Sequence, residues 1–208
     1  MIQDIIHKLH LELPAAVKLV AVSKFHPFEA IEEAYQAGQR IFAESRPQEL
    51  AAKVKTLEAR RAELGDPTYM ADIEWHFIGH LQTNKVKYAV GKAALIHSVD
   101  SLHIAQAIND YARKQGICQD ILLEVNISGE ESKYGLTTEQ IPTIIKEMAA
   151  LEGLRFKGFM TMAPLGAPEE EIRSIFSRAR ELFNEHKKDG AEILSMGMSG
   201  DFEIAVEE

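Results

Sequence analysis

Predicted strands and helices alternate along the whole chain, and this alternation restricts the possible folds more than any other feature of the sequence. Short apolar segments that predict strands are separated by stretches with the apolar spacing of amphipathic helices. The predicted strands span residues 17–22, 40–43, 74–79, 93–99, 120–127, 154–162 and 193–196. Seven such alternations indicate parallel strands joined by helical crossovers. We therefore predict an α/β fold, with a TIM-type (β/α)8 barrel as the best architecture and a doubly wound open sheet as the alternative.

A complete barrel of this type needs one more strand than the pattern supplies. The sequence ends at Glu207 and Glu208, shortly after the start of a further predicted helix, where an eighth strand would be expected. A barrel without its last strand has two unpaired edges, which favour aggregation. We therefore expect residues 1–208 to form a single domain whose last strand is missing from this sequence.

Two capping boxes predict where helices begin. Ser45 with Gln48, and Thr137 with Gln140, have the spacing at which side chains satisfy the free backbone N–H groups of a helix start. The helix after Ser45 is rich in lysine, arginine and glutamate, which we interpret as a solvated face. The clearest amphipathic helix follows the sixth strand, and its apolar face comprises Ile172, Ile175, Phe176, Ala179, Leu182 and Phe183.

Charge and composition exclude several classes of function. The net charge of −9 and the pI of about 5.4 argue against a surface that binds nucleic acid or an anionic membrane, since both need clustered positive charge. The sequence has no apolar run long enough to span a membrane, and Asp4 and His7 interrupt the region where a signal peptide would be apolar. Cys118 is the only cysteine, so no intrachain disulfide can form. These features predict a cytoplasmic protein.

Lys24 is the first candidate for chemistry. It follows the predicted strand 17–22, and Pro27 then suits the first turn of a helix. Lys24 is therefore expected at the carboxyl end of a strand buried on both faces, which is the end where parallel α/β folds bind ligands. Burial would favour the uncharged amine, which can form a Schiff base. The alternative is an ordinary solvated lysine at a strand end.

Other chemical motifs are missing from the sequence. The eight histidines are scattered, without the spacing of a metal site, so no metal is predicted. Neither of the glycine-rich phosphate-binding motifs GxxxxGK[ST] and GxGxxG is present. His76, Asn126 and Lys133 could face a ligand, but a packed strand histidine, a turn residue and a solvated loop lysine explain them at least as well.

The segment 196–201, Met-Gly-Met-Ser-Gly-Asp, is a second candidate for binding. It has the pattern of a strand end, then small residues, then a helix start, and free backbone N–H groups in such a place can bind an anion. An ordinary turn with Ser199 as helix N-cap is the alternative. In a parallel barrel, the carboxyl ends of the strands lie at one rim, so Lys24 and this segment would lie at the same rim. Such a pair would suit pyridoxal phosphate, which needs a lysine for its aldehyde and an anchor for its phosphate.

Six segments, spread in order over the whole chain, carry a resemblance to a known family. They are residues 21–24 (AVSK), 75–85 (WHFIGHLQTNK), 97–101 (HSVDS), 125–133 (VNISGEESK), 160–164 (MTMAP) and 195–205 (SMGMSGDFEIA). Together they closely resemble the YggS/PROSC family of pyridoxal phosphate homeostasis proteins. The resemblance implies a barrel like the N-terminal domain of alanine racemase, with Lys24 forming an aldimine with the cofactor and Ser199 and Gly200 holding its phosphate. The predicted cofactor site comprises Lys24, Ser45, His76, Met198, Ser199 and Gly200.

Two departures from the family pattern concern this site. The family usually has Phe-Gly-Glu-Asn after its second strand, where this chain has Phe-Ala-Glu-Ser, so the hydroxyl of Ser45 replaces an asparagine near the cofactor. The family also continues beyond Glu208 with a Val-Arg-Ile-Gly strand whose arginine faces the pyridine nitrogen. The absence of that segment agrees with the missing eighth strand.

The resemblance implies a non-catalytic protein of vitamin B6 homeostasis that holds pyridoxal phosphate and delivers it to apoenzymes. It also favours a monomer, because the domain through which racemases dimerise is missing. A pyridoxal phosphate enzyme would need a second acid/base group opposite the lysine, and the strand ends offer no convincing one. A racemase-like enzyme and a Schiff-base aldolase without cofactor are the alternatives. Turnover of an amino acid would favour the first, and borohydride trapping of a keto substrate the second.

Overall fold

The computed structural model describes residues 1–130 and 134–208, and in this part of the chain seven parallel strands form one sheet. The strands lie in chain order, from β1 at one edge to β7 at the other. They are β1 (Ala21–Val22), β2 (Ile41–Glu44), β3 (Glu74–Phe77), β4 (Leu95–Val99), β5 (Gln119–Glu124), β6 (Leu154–Met160) and β7 (Ile193–Ser195). Lys133 lies outside the described residues.

Helices follow the strands and confirm the predicted class of fold. The α-helices are α1 (Ile2–Glu12), α2 (Phe28–Gln36), α3 (Pro47–Leu64), α4 (Leu102–Lys114), α5 (Ile141–Met148), α6 (Glu169–Glu185) and α7 (Phe202–Glu207), and short 3-10 helices span Thr83–Tyr88, Thr138–Gln140 and Lys187–Asp189. The strand order never reverses, whereas a doubly wound sheet reverses it at its switch point. The sheet is therefore of the barrel type. No helix in the described ranges is both long and apolar enough to cross a membrane.

The main hydrophobic core lies between the outer face of the sheet and the helices. Ile121 and Leu123 of β5 and Phe159 of β6 are almost completely buried in it. Alternate residues of a strand point to the same face, so these side chains all meet the surrounding helices. The face of α6 predicted from its periodicity is buried here, with Ile172, Ile175, Phe176, Ala179 and Leu182.

A smaller apolar cluster lies on the inner face of the sheet. It is built from strand residues alone, namely Leu95, Leu122, Met160 and Ile193. One residue from each of four neighbouring strands forms the layer, as in the filled interior of other (β/α) barrels.

Trp75 of β3 belongs to the main core. Its side chain is 6% exposed, and its ring centroid lies 6.1 Å from that of Phe42 on the neighbouring strand β2. The indole N–H has no hydrogen-bond partner within the described residues. Trp75 therefore contributes to the core through its apolar surface.

β1 differs most from its prediction. The sequence predicts a strand over residues 17–22 that is buried on both faces, but β1 spans only Ala21–Val22, and Val22 is 46% exposed. Among the described strands β1 pairs with β2 alone, so nothing in the sheet covers its other side. An apolar pattern cannot show whether a strand has one neighbour or two. The other six predicted strands are all present, and most are shorter than predicted.

The capping box predicted at Ser45 is wrong. Arg46 occupies the N-cap of α3, Pro47 takes its first helical position, and the Arg46 side chain makes no capping hydrogen bond within the described residues. Proline has the helical φ and no N–H to satisfy, so the helix can begin there without a box. The second box is confirmed, because Thr137 and Gln140 make both expected hydrogen bonds.

Candidate functional site

The carboxyl ends of the parallel strands bring Lys24 and the loop with Ser199 and Gly200 to the same side of the sheet. Lys24 follows β1, Ser199 and Gly200 follow β7, and all three are exposed. The expected burial of Lys24 is therefore wrong, because β1 is an edge strand that runs into a surface turn. The Lys24 amine makes no hydrogen bond or ion pair within the described chain, which leaves it free for a ligand.

A tight turn presents Lys24. The His26 N–H donates to the Ser23 carbonyl oxygen at 3.0 Å, so Lys24 and Phe25 occupy the two central positions. Phe25 has a φ of 66°, in the left-handed region where glycine or asparagine normally stands. A bulky residue keeps this conformation only where its surroundings hold it.

A buried ionic cluster lies directly behind this turn. Glu44 of β2 accepts hydrogen bonds at Oε1 from the Ser23 hydroxyl at 2.6 Å and from the Lys53 amine at 2.5 Å. The Lys53 amine also donates to the Ser23 carbonyl oxygen at 2.7 Å. Glu49 lies 3.4 Å from Lys53 Nζ and accepts a hydrogen bond from the Phe25 N–H at 2.9 Å. The cluster thus contacts both neighbours of the exposed lysine.

Ser45 is half-buried at the adjoining strand end and lies against Gly79. A Cβ atom on Gly79 would stand 1.9 Å from the Ser45 carbonyl oxygen, so only glycine fits at this point. The close approach keeps the carboxyl ends of β2 and β3 together. No hydrogen bond joins Ser45 to Lys24 within the described residues.

The loop after β7 has free backbone donors. The Met198 N–H donates to Asp201 Oδ1 at 2.5 Å, and the Phe202 N–H donates to the Met198 carbonyl oxygen at 2.9 Å. The N–H groups of Ser199 and Gly200 have no acceptor in the described part of the chain. The alternative of Ser199 as helix N-cap is wrong, since α7 begins at Phe202 and Asp201 is its N-cap. Two adjacent N–H groups and a hydroxyl are therefore available to an anion.

A recess of about 330 Å³ beside this loop, between α6 and α7, is less suited to an anion. Its arginine, Arg173, forms ion pairs with Glu207 at 2.6 Å, Glu169 at 2.8 Å and Glu208 at 3.3 Å. Hydrogen bonds to these carboxylates, that to Glu207 first, raise the pKa of the guanidinium. Because three carboxylates already neutralise its charge, Arg173 is a poor candidate for a phosphate anchor.

His76 lies inside the barrel in a chain of hydrogen bonds. Its Nε2 is 2.8 Å from Glu74 Oε1 and its Nδ1 is 2.8 Å from His97 Nε2. His97 Nδ1 lies 2.9 Å from Ser195 Oγ, so the chain links β3, β4 and β7. Burial lowers the pKa of both imidazoles, that of His97 to about 3, and both rings are neutral near pH 7. Within the described ranges no three side chains are grouped as a metal site requires.

Glu124 is a buried carboxyl at the end of β5. Strand alternation places it on the same face as Leu122 of the inner cluster, and it is 6% exposed. Burial, and then the charge of Asp100, raise its pKa from 4.5 to about 7. The folded chain therefore binds this proton more tightly than the unfolded chain does. The neutral carboxyl makes its whole contribution to stability below pH 4.5. This contribution decreases as the pH rises above 4.5 and is lost as the pH passes through 7.

The substitution Glu124→Gln tests the effect of this raised pKa on stability. Glutamine is always neutral, so we expect the variant to gain stability relative to the unchanged chain on going from pH 4.5 to pH 8, by about 3 kcal/mol. Urea unfolding of both proteins at the two pH values measures the gain. Glu147→Gln, at an exposed position of α5, is the control and should show no such gain. Equal effects of the Glu124 substitution at both pH values would contradict the assignment.

Comparison with known proteins identifies the family. The profile of the family described as alanine racemase, N-terminal domain, matches residues 3–207. A pyridoxal phosphate homeostasis protein of Aquifex aeolicus (strain VF5) is 41% identical over 194 residues, which cover 92% of this chain and 80% of that protein. The chain belongs to the YggS/PROSC family.

Solved structures agree with this assignment to the YggS/PROSC family. PipY of Synechococcus elongatus PCC7942, with PLP bound, is 36% identical with a TM-score of 0.85, and the match covers 100% of this chain and 94% of PipY. An alanine racemase from Streptomyces coelicolor A3(2) has a TM-score of 0.73 at 18% identity, over 96% of this chain and 52% of the racemase. The second likeness shows the fold alone.

Sequence patterns did not reveal the ionic cluster of this YggS/PROSC chain. The charged residues of α3 are predicted to be solvated, but Lys53 is 7% exposed. The spacing of Lys53 could have indicated its burial, because Lys53 lies on the same helix face as Leu50 and Leu57, both of which are buried. His97 could have been found in the same way, because strand alternation places it on the face of Leu95.

Proposed function

We propose that this chain binds pyridoxal phosphate through the Lys24 amine and the loop after β7, and acts in intracellular vitamin B6 homeostasis. One observation carries the proposal: a free amine and two free backbone N–H groups follow the carboxyl ends of parallel strands on the same side of the sheet. Membership of a family in which the PipY structure contains PLP supports the choice of ligand.

Each residue of the proposed site has a role suited to its surroundings. The bound cofactor supplies an aldehyde. The Lys24 amine would hold the cofactor by condensing with this aldehyde, with the release of one water. Ser199 and Gly200 donate their N–H groups to the phosphate, and Met198 belongs to the same loop, held by Asp201. We also assign His76 and the hydroxyl of Ser45 to the proposed site.

We propose a carrier role and not catalysis. An enzyme acting on amino acids would need a second group that exchanges protons with the substrate. His76 is engaged by protein groups at both ring nitrogens, which leaves it unsuited to that task. The chain would hold the cofactor as a monomer in the cytoplasm and deliver it to apoenzymes. In that reducing compartment the exposed Cys118 stays a thiol.

Lys24→Ala is expected to abolish covalent binding. After incubation with pyridoxal phosphate and desalting, the unchanged chain should retain a visible absorbance band, and borohydride should fix the cofactor to the Lys24 peptide in mass spectrometry. Lys18→Ala, which removes an exposed lysine before β1, is the matched control and should keep the band. Ser199→Ala should keep the band too, because its backbone N–H remains. Its affinity should be about tenfold lower, because the Ser199 hydroxyl, a further donor to the phosphate, is lost.

The outcomes separate the parts of the proposal. A band that persists in Lys24→Ala would exclude Lys24 as the attachment site. No band in the unchanged chain would exclude covalent cofactor binding. Conversion of L-alanine to D-alanine by the unchanged chain, lost in Lys24→Ala, would overturn the non-catalytic role.

A further inference from the structure

The ionic cluster behind Lys24 is unusual for its burial. Glu44 is 0% exposed and Lys53 is 7% exposed, and Glu44 Oε2 has no hydrogen-bond partner within the described chain. A buried ion pair with incomplete hydrogen bonding is weak evidence for stability, because desolvation of the charges opposes their attraction. The contacts of the cluster therefore indicate its role better than its charge does.

Those contacts converge on the turn that carries Lys24. The residue before Lys24, Ser23, is held at its hydroxyl by Glu44 and at its carbonyl oxygen by Lys53. The residue after Lys24, Phe25, is held at its N–H by Glu49. The Phe25 ring is also covered by the guanidinium of Arg46, 4.6 Å from the ring centroid.

The conformation of Phe25 shows why such support is needed. Its φ of 66° is unfavourable for a residue with a bulky side chain, and its side chain is 67% exposed, so core packing does not impose it. The hydrogen bond from the Phe25 N–H to Glu49 fixes one end of this peptide unit. The direction in which the Lys24 side chain leaves the backbone depends on the same turn.

We propose that Glu44, Glu49 and Lys53 are positioning residues that hold the turn around Lys24 and so direct its amine toward the cofactor aldehyde. This inference rests on the proposed function, because it concerns the rate at which Lys24 reacts. A reacting group held in a fixed direction reacts faster than one on a mobile turn.

Glu49 is the best residue for the test. Its side chain is 23% exposed, whereas removal of Lys53 would leave the charge of Glu44 buried and unpaired and could unfold the chain. Glu49→Ala removes the acceptor for the Phe25 N–H, and Glu49→Gln keeps an acceptor oxygen at the same place. Glu58→Ala, at an exposed position of the same helix, is the matched control.

Two measurements are made on each variant. The rate of formation of the Lys24 adduct with pyridoxal phosphate is followed by absorbance, and the backbone NMR shifts of Phe25 report its φ. We expect Glu49→Ala to form the adduct about tenfold more slowly and to lose the left-handed shifts, with Glu49→Gln restoring both. Glu58→Ala should match the unchanged chain.

Different results would overturn the proposed function and the positioning role of Glu44, Glu49 and Lys53. No Lys24-dependent adduct in the unchanged chain would overturn the proposed function together with this inference. An adduct that forms at the normal rate in Glu49→Ala would overturn the inference alone. A slow rate with unchanged Phe25 shifts would also overturn it, because the turn would then not be the cause.

Discussion

Gly79→Ala is expected to lower the free energy of unfolding by about 3 kcal/mol and to weaken cofactor retention. The new Cβ would stand 1.9 Å from the carbonyl oxygen of Ser45 and 2.6 Å from its carbonyl carbon. These are backbone atoms, so the clash cannot be relieved by a change of rotamer. The end of β2 must move away from β3, and Glu44 and Ser45 move with it.

Urea unfolding and the absorbance of the desalted protein measure the two effects of Gly79→Ala. For stability, Gly200→Ala is the control, because nothing lies within 4 Å of its Cβ position. That control should stay within about 1 kcal/mol of the unchanged chain. A Gly79 variant as stable as the control would show that the ends of β2 and β3 can move apart without lowering the free energy of unfolding.

His97→Gln is expected to reduce the loss of stability that occurs when the pH is lowered. The pKa of His97 is lowered to about 3 in the folded chain, by burial first and then by the neighbouring His76, and the ordinary value is 6.5. Between pH 6.5 and about pH 3 the unfolded chain therefore binds this proton and the folded chain does not. Stability falls as the pH drops from 6.5 toward 3, and the loss that His97 causes reaches about 3 kcal/mol at pH 4.5.

Glutamine at position 97 can still pair with His76 and Ser195 but does not titrate. Urea unfolding at pH 7.5 and pH 4.5 should therefore show a smaller difference for His97→Gln than for the unchanged chain. His103→Gln, which replaces an exposed histidine of α4, controls for the general effect of acid and should behave like the unchanged chain. An identical pH response of His97→Gln would refute the proposed titration.

The class of fold followed from periodicity, because strands and helices of a (β/α) barrel differ in period and alternate strictly. α6 is the clearest case, since its buried face is the one that the apolar spacing predicts. β1 is the counterexample. Its length and exposure depend on pairing with strands far away in sequence, which no local pattern contains.

The candidate site was predicted in part. Lys24 and Ser199 could be selected because each follows a strand, and parallel strands end on the same side. The supports of Lys24 were not predicted, because Glu49 and Lys53 look like one more solvated ion pair of a charged helix. The exposure of Lys24 was also missed, since it follows from the position of β1 at the sheet edge.

Trp75, described above as a core residue, also provides an intrinsic fluorescence probe. It is the only tryptophan of the chain, and it lies between the sheet and the helices with little exposure to water. Indole fluorescence depends on the polarity of its surroundings, so all of the tryptophan emission comes from one place in the fold. Because the next residue, His76, faces the barrel interior, that emission reports on the wall of the proposed site without any added label.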